Sequence, residues 1–143
     1  MITVTISSAS YPPMNDLPQL NLVVLRSPDI DRAADFYRRL GLTFVRHSHG
    51  SGAEHYCSEV AGLVFELYPA TSVSPSTSGT RIGFRVDSVD RLVPLLVEAG
   101  AKVRTAPADS EWGRRAVMTD PDGHAVELIS QRHEPVTGGQ GAV

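Results

Sequence analysis

Two carboxylates stand where apolar strands do not ordinarily carry them. Leu63-Val-Phe-Glu-Leu-Tyr68 places Glu66 in the middle of an apolar run, and Ala125-Val-Glu-Leu-Ile129 does the same with Glu127. An ionised carboxylate in such a strand is costly unless it is paired, binds a metal or faces a cavity. Alternation puts Glu66 on one face with Val64 and Tyr68, and Glu127 on one face with Ala125 and Ile129. Each glutamate is thus a candidate base, metal ligand or partner for a cation. His47, His49 and His55 cluster ahead of the first strand, and neutral imidazole suits Zn²⁺, Fe²⁺ or Ni²⁺. A site built from Glu66, Glu127 and a histidine such as His55 would take Zn, Ni, Fe or Mn, although surface histidines are the plainer reading.

Other reactive residues carry weaker signals. Cys57 shares a strand face with His55, yet side chains two apart do not touch by default, so a small strand residue is the simpler account. Trp112, between Glu111 and Arg114, falls on a loop expected at 106–112, where an aromatic could cover a flat ligand. His124 follows a turn glycine and is expected to be exposed. His133 lies in a polar, Gly-rich tail.

The elements that position these residues repeat. Asn21-Leu-Val-Val-Leu-Arg26 reads as a strand. Ser27-Pro28 then predicts a helix N-cap followed by proline at the first helical position. Ile30, Ala33, Ala34, Tyr37 and Leu40 form the apolar stripe, and Gly41 ends the helix. Strands are expected near residues 43–47, 54–59 and 63–68. After a Ser/Thr/Pro-rich linker at 71–79 the plan returns. Arg81-Ile-Gly-Phe-Arg-Val86 is a strand, and Asp87 or Ser88 caps a helix with Val89, Leu92, Val93, Leu96 and Ala99 inward. Gly100 ends that helix, Pro94 should kink it, and strands follow near 102–105, 115–119 and 124–130. Asp120-Pro-Asp-Gly is a turn, in which proline presets φ and glycine accepts φ > 0.

The chain therefore divides into an N-terminal arm (1–19), a first βαβββ module (20–70), the linker, a second module (80–131) and a tail (132–143). The arm opens with the alternating Ile2-Thr-Val-Thr-Ile6, either loose or paired with a sheet edge. The fold class is α+β. Val23, Leu25, Leu67, Ile82, Phe84 and Leu128 suit helix-covered faces. Leu22, Val24, Arg26, Glu66, Arg81, Gly83, Arg85 and Glu127 fall on the opposite faces, and would line a shared cup if the sheets curl together.

Bulk properties narrow the function. The chain has 143 residues, 41% of them hydrophobic, and a formal net charge of −3 at pH 7. No basic tract offsets that charge, which argues against a nucleic-acid binder. One cysteine cannot form an intramolecular disulfide, and a cytoplasmic location is the natural expectation. No apolar run reaches the ~18 residues of a membrane span, and the first residues do not read as a secretory signal. No Ser/His/Asp order, phosphate loop, paired-Cys zinc motif or dinucleotide fingerprint is present.

The pieces Leu25-Arg-Ser-Pro-Asp-Ile, Asp35-Phe-Tyr-Arg-Arg-Leu-Gly-Leu42, Phe65-Glu-Leu, Phe84-Arg-Val-Asp87, Glu98-Ala-Gly100 and Asp120-Pro-Asp-Gly-His-Ala-Val-Glu-Leu, in this order, resemble the vicinal oxygen chelate superfamily. That group includes glyoxalase I, extradiol dioxygenases, and fosfomycin and bleomycin resistance proteins. The resemblance covers roughly residues 20–131 and implies two βαβββ modules around a cup-like mixed sheet, and a homodimer. In metal-dependent members a first-strand residue, often His, and a last-strand residue, often Glu, come from each module. Here those positions are Leu22 and Glu66, then Arg81 and Glu127. Leucine has no lone pair and guanidinium stays protonated, so no metal is expected at this incomplete set. Arg81 would neutralise Glu66, Glu127 or both.

The resemblance implies a protein acting on a small organic molecule in the cup, by lyase, isomerase or dioxygenase chemistry with Glu127 or Glu66 as base. The alternative is a non-catalytic protein that sequesters an antibiotic or metabolite. In either case Arg81, Tyr68, His55, Trp112 and Arg26 are the expected ligand-binding residues, and the partners are a small molecule and a second copy, not nucleic acid or membrane.

Overall fold

A computed structural model describes residues 16–48 and 50–132. The strand-like run at 2–6, His49, and the tail from residue 133, with His133, lie outside the described residues. The order is β1 (Leu22–Ser27), α1 (Ile30–Leu40), β2 (Val45–His47), β3 (His55–Val60), β4 (Leu63–Pro69), β5 (Arg81–Arg85), α2 (Val89–Glu98), β6 (Lys102–Ser110), β7 (Gly113–Thr119) and β8 (Ala125–Ser130). The fold is α+β, with the βαβββ plan twice. Each module has a four-stranded mixed sheet, β1-β4-β3-β2 in the first and β5-β8-β7-β6 in the second. The first strand of each module pairs in parallel with the last, and the other pairs are antiparallel. No described helix is long and apolar enough to cross a membrane.

The α1 cap lies two residues beyond the expected one. Asp29 is the N-cap and accepts from the Arg32 N–H, while Ser27 Oγ accepts from the Asp29 N–H at 3.0 Å. Pro28 is therefore outside the helix, because Ser27 is still a strand residue, paired with Pro69. The buried stripe also includes Phe36 beside the expected Ala33, Ala34, Tyr37 and Leu40. Gly41, at φ 123°, donates back to the Tyr37 and Arg38 carbonyls and ends the helix. Ser88 caps α2, and the helix continues through the exposed Pro94, which has no N–H to return to the previous turn.

The expected loop at 106–112 is a strand instead. β6 runs on to Ser110, and a two-residue turn, Glu111-Trp112, leads into β7. Thr105 pairs with Val117 and Ala108 with Arg115, so Ala106 and Pro107 together oppose Ala116 in a bulge. Proline is tolerated there because β6 is an edge strand and its missing N–H breaks no inner ladder bond.

The helix-covered faces of both sheets merge into one core. Leu25, Phe65 and Leu67 of the first sheet and Met118, Val126 and Leu128 of the second are all buried with the helices. Tyr37 is central: its ring centroid lies 5.1 Å from Phe65 and 6.2 Å from Phe84. Among the described residues, no strand of one sheet lies against a strand of the other, so the modules meet through α1, α2 and these side chains.

A buried polar connection crosses the same boundary. Tyr37 donates its hydroxyl to Asp120 Oδ2 at 2.7 Å, and His124 Nδ1 lies 2.7 Å from the same oxygen. Asp120 Oδ1 accepts the backbone N–H groups of Asp122 and His124. Burial raises the Asp120 carboxyl, but the hydrogen bonds from His124 and Tyr37 outweigh it and hold the group below its ordinary value. His124, expected to be exposed, is only 1% exposed. The turn glycine folds it inward, and its Nε2 meets Thr77 Oγ1 at 2.6 Å.

Tyr37→Phe should cost about 1–3 kcal/mol, since it removes a bond to a buried carboxylate. A group with a lowered folded-state value stabilises fully above its unfolded value, near 3.9 for Asp, and loses that contribution as pH falls through the folded value. Urea unfolding at pH 6, 4 and 3 should therefore show wild-type stability falling below about pH 4. The fall should be shallower in Tyr37→Phe.

Candidate functional site

Each sheet has an open face, and the two are chemically different. On the first, β1 and β4 bring Leu22, Val24 and Arg26 beside Val64, Glu66 and Tyr68, and β3 adds His55 and Cys57. Cys57 is the ladder partner of Glu66, and Tyr56 of Leu67. His55 is 2% exposed, and its Nε2 lies 3.1 Å from Glu66 Oε2. Its Nδ1 faces the Ala53 carbonyl at 3.3 Å. The His55 ring stacks on Tyr68 at 4.2 Å with an 8° interplanar angle, and His47 lies 5.8 Å away on a nearly parallel plane. The Arg26 guanidinium sits 5.3 Å from the Tyr68 centroid, on the cation–π scale. The result is a graded stack of Arg26, Tyr68, His55 and His47 with Glu66 beside it.

Cys57 is not poised as a nucleophile. Burial, then the Glu66 and Glu59 charges, push its thiol up. Burial and Glu66 likewise raise the Tyr68 phenol, which stays protonated.

The second open face is built around Glu127. Gly83 is its ladder partner on β5 and Val117 on β7. Arg115 Nε donates to Oε1, and Arg81 Nη2 donates to Oε2 at 3.2 Å. The Arg115 hydrogen bond, aided by Arg81 and against partial burial, holds the Glu127 carboxyl below its ordinary value. Arg81 thus pairs with Glu127, while Glu66 has His55 instead. Trp112 stands apart, 67% exposed at the β6–β7 turn. There it lines a cavity of about 620 Å³ with Arg85, Glu111 and Arg132.

Sequence reading missed two contributors. Arg115 carried a usable signal: alternation along β7 puts Arg115, Val117 and Thr119 on one face, which register sets beside Glu127. His124 carried none, because its burial depends on the linker closing over it through Thr77.

The residues at the family's metal positions do not fit a divalent cation. Leu22 offers no donor, Arg81 carries a positive charge, and Glu127 is already held by two guanidiniums. Glu66 and Glu127 lie in different sheets. Among the described residues, the cluster with three such ligand atoms within 4.8 Å of one another is Asp120, Asp122 and His124, which could hold a metal ion. Its atoms already serve the Tyr37, Thr77 and Arg32 contacts.

Two βαβββ modules with a carboxylate on the last strand of each define a paired-module protein. A sequence profile of the Glyoxalase/Bleomycin resistance protein/Dioxygenase superfamily matches residues 19–128, and the chain belongs to that superfamily, the vicinal oxygen chelate group. Many of its members bind metal ions or small molecules. A comparison with curated protein sequences gives no match. Among solved structures, the chain is similar to hypothetical protein SA1046 from S. aureus, with a TM-score of 0.67 and 22% identity over 80% of this chain and 94% of that one. It is also similar to a glyoxalase/bleomycin resistance protein/dioxygenase family enzyme from Burkholderia phytofirmans PsJN, at TM-score 0.64 and 22% identity, covering 79% and 98%. A third likeness is to TnmS3, an antibiotic binding protein from Streptomyces sp. CB03234, at TM-score 0.63 and 26% identity, covering 81% and 98%.

Arg115→Gln should raise the Glu127 carboxyl toward the ordinary glutamate value, as read by ¹³C NMR titration of the side-chain carboxyl. Because both groups are partly exposed, the stability cost should stay at roughly 1 kcal/mol or less.

Proposed function

We propose that the chain is a non-catalytic small-molecule-binding protein that sequesters a flat organic compound, an antibiotic or metabolite, between the two kinds of open face. One observation carries the reading: both family glutamates are already engaged by side chains of their own sheet, Glu66 by His55 and Glu127 by Arg81 and Arg115. A lyase, isomerase or dioxygenase that used Glu127 as base or ligand would have to work against its two guanidinium partners. Glu127 held below its ordinary value is a weak base. Tyr68 and Arg26, backed by the buried His55 ring, supply a polarisable surface instead. The 26% identity with an antibiotic binding protein points the same way.

The same reading includes a homodimer in which modules of two copies pair and bring a Glu66 face opposite a Glu127 face. Support comes from the separation of the two sheets within one chain, and from apolar side chains left open on the first. Leu22 is 47% exposed and Val45 62%. The single cysteine favours the cytoplasm as its compartment.

Untagged protein should contain no stoichiometric metal by elemental mass spectrometry, and Ni²⁺, Zn²⁺, Fe²⁺ or Mn²⁺ should not change its melting temperature. A planar polycyclic compound that binds should stabilise by about 2.7 kcal/mol at a hundredfold excess over Kd and be recovered unchanged. Consumption of that compound, or bound metal lost in Glu66→Gln, would sink the binder reading. Light scattering should give twice the monomer mass, and a monomer would remove the paired-face arrangement.

A further inference from the structure

Gly83 stands at the centre of β5, where a glycine costs roughly 0.5–1 kcal/mol relative to alanine. Inside a strand, glycine marks a bulge, a bend, or a place where a ligand or another backbone comes close. β5 pairs with β8 without a register break from Arg81 to Arg85, so there is no bulge. Gly83 is not among the positive-φ glycines. Nor is it crowded, since an added Cβ would find its nearest atoms, Glu127 Cβ and O, at an ordinary 3.9 Å. Approach from outside is what remains.

The surroundings of Gly83 say what would approach. Alternation places Arg81 and Arg85 on its face, one on each side, each about 7 Å along the strand. Across the sheet, Arg115 and Arg85 both pair with Ile129, so they stand on the same row. Two guanidiniums, Arg81 and Arg115, therefore hold one carboxylate, Glu127, and a third arginine, Arg85, stands on the neighbouring row of the same face, in a chain whose net charge is −3. Arg85 makes no ion pair or side-chain hydrogen bond among the described residues, and the Arg81 side chain is 51% exposed. Along the edge of β5 lies a mainly apolar cavity of about 610 Å³, lined by Val23, Leu63 and Phe65 of the first module, by Ile82 and Phe84 from the helix-covered side, and by Arg81, Gly83 and Arg85. That volume suits a small organic ligand.

We propose that this is a seat for an organic acid: its carboxylate lies over Gly83 between Arg81 and Arg85, and its apolar body fills the adjoining cavity. The proposal rests on the small-molecule reading above and names the ligand class. Charge complementarity carries it, because guanidinium pairs recognise carboxylates with charge-assisted, directional hydrogen bonds. Glu127 has an organising role here. It is the fixed anion that holds the Arg81 and Arg115 heads in place, while Arg85 keeps its donors open.

Isothermal titration of the purified full-length chain with 2-naphthoate and its neutral isostere 2-naphthamide tests this. Naphthoate should bind at least tenfold more tightly, and Arg85→Gln should erase that preference. Gly83→Val should abolish binding of both probes while leaving the melting temperature within a few degrees of wild type. Equal binding of acid and amide overturns the acid seat but leaves the small-molecule reading standing. Absence of binding by either probe, or a preference unchanged in Arg85→Gln, also overturns the seat. Conversion of the probe would instead remove the non-catalytic reading without touching the seat.

Discussion

The hydroxyl of Tyr37 on the Asp120 carboxylate is the buried, directional interaction across the boundary between the two halves, set in the core they share. Among the described residues no hydrogen bond joins strands of the two sheets, so side chains and the linker fix how the modules sit. Most of those side chains are apolar, and apolar packing is strong but weakly directional. A buried bond to a charged acceptor is directional and expensive to leave unmade. Burial and the neighbouring Asp120 charge push the Tyr37 phenol well above its ordinary value, so it remains a donor. From Asp120 the connection passes to His124 and on to Thr77. Thr77 Oγ1 accepts the Arg26 N–H at 2.8 Å at the end of β1. The core boundary and the Arg26–Tyr68 end of the first open face are thus mechanically continuous.

The two open faces differ in chemistry. One offers stacked rings with a buried His–Glu pair, and the other offers guanidiniums arranged around one carboxylate. Replacing the ligating residue on the first strand of the second module with Arg81 inverts the charge at that position. On the proposed reading the second face would take an anion where a cation would otherwise sit.

Much of this was legible in the sequence, for physical reasons. The doubled order of strand, helix and three strands followed from apolar periods, helix-ending glycines and the Asp-Pro-Asp-Gly turn, all local signals. The partition of residues between covered and open faces followed from strand alternation. What escaped depended on long-range closure. His124 is buried because Thr77, 47 residues away, closes on it. The α1 cap moved from Ser27 to Asp29 because pairing with β4 keeps Ser27 extended. β6 ran through Pro107 because an edge strand can absorb bulges that an inner strand cannot. Arg81 had two possible partners in the sequence, and only the arrangement of the sheets selects Glu127 over Glu66.

The irregular β6 has a consequence for how the chain behaves in a crowded solution. It is nine residues long, with all but two of them exposed, and it ends its sheet. A flat strand of that length would be a template for another chain's backbone, the first step toward fibrils. Two register shifts twist its backbone, Pro107 deletes one donor, and Lys102 and Arg104 add like charges along it. The feature that made this strand hard to read from sequence is the one that keeps its edge from recruiting copies of itself.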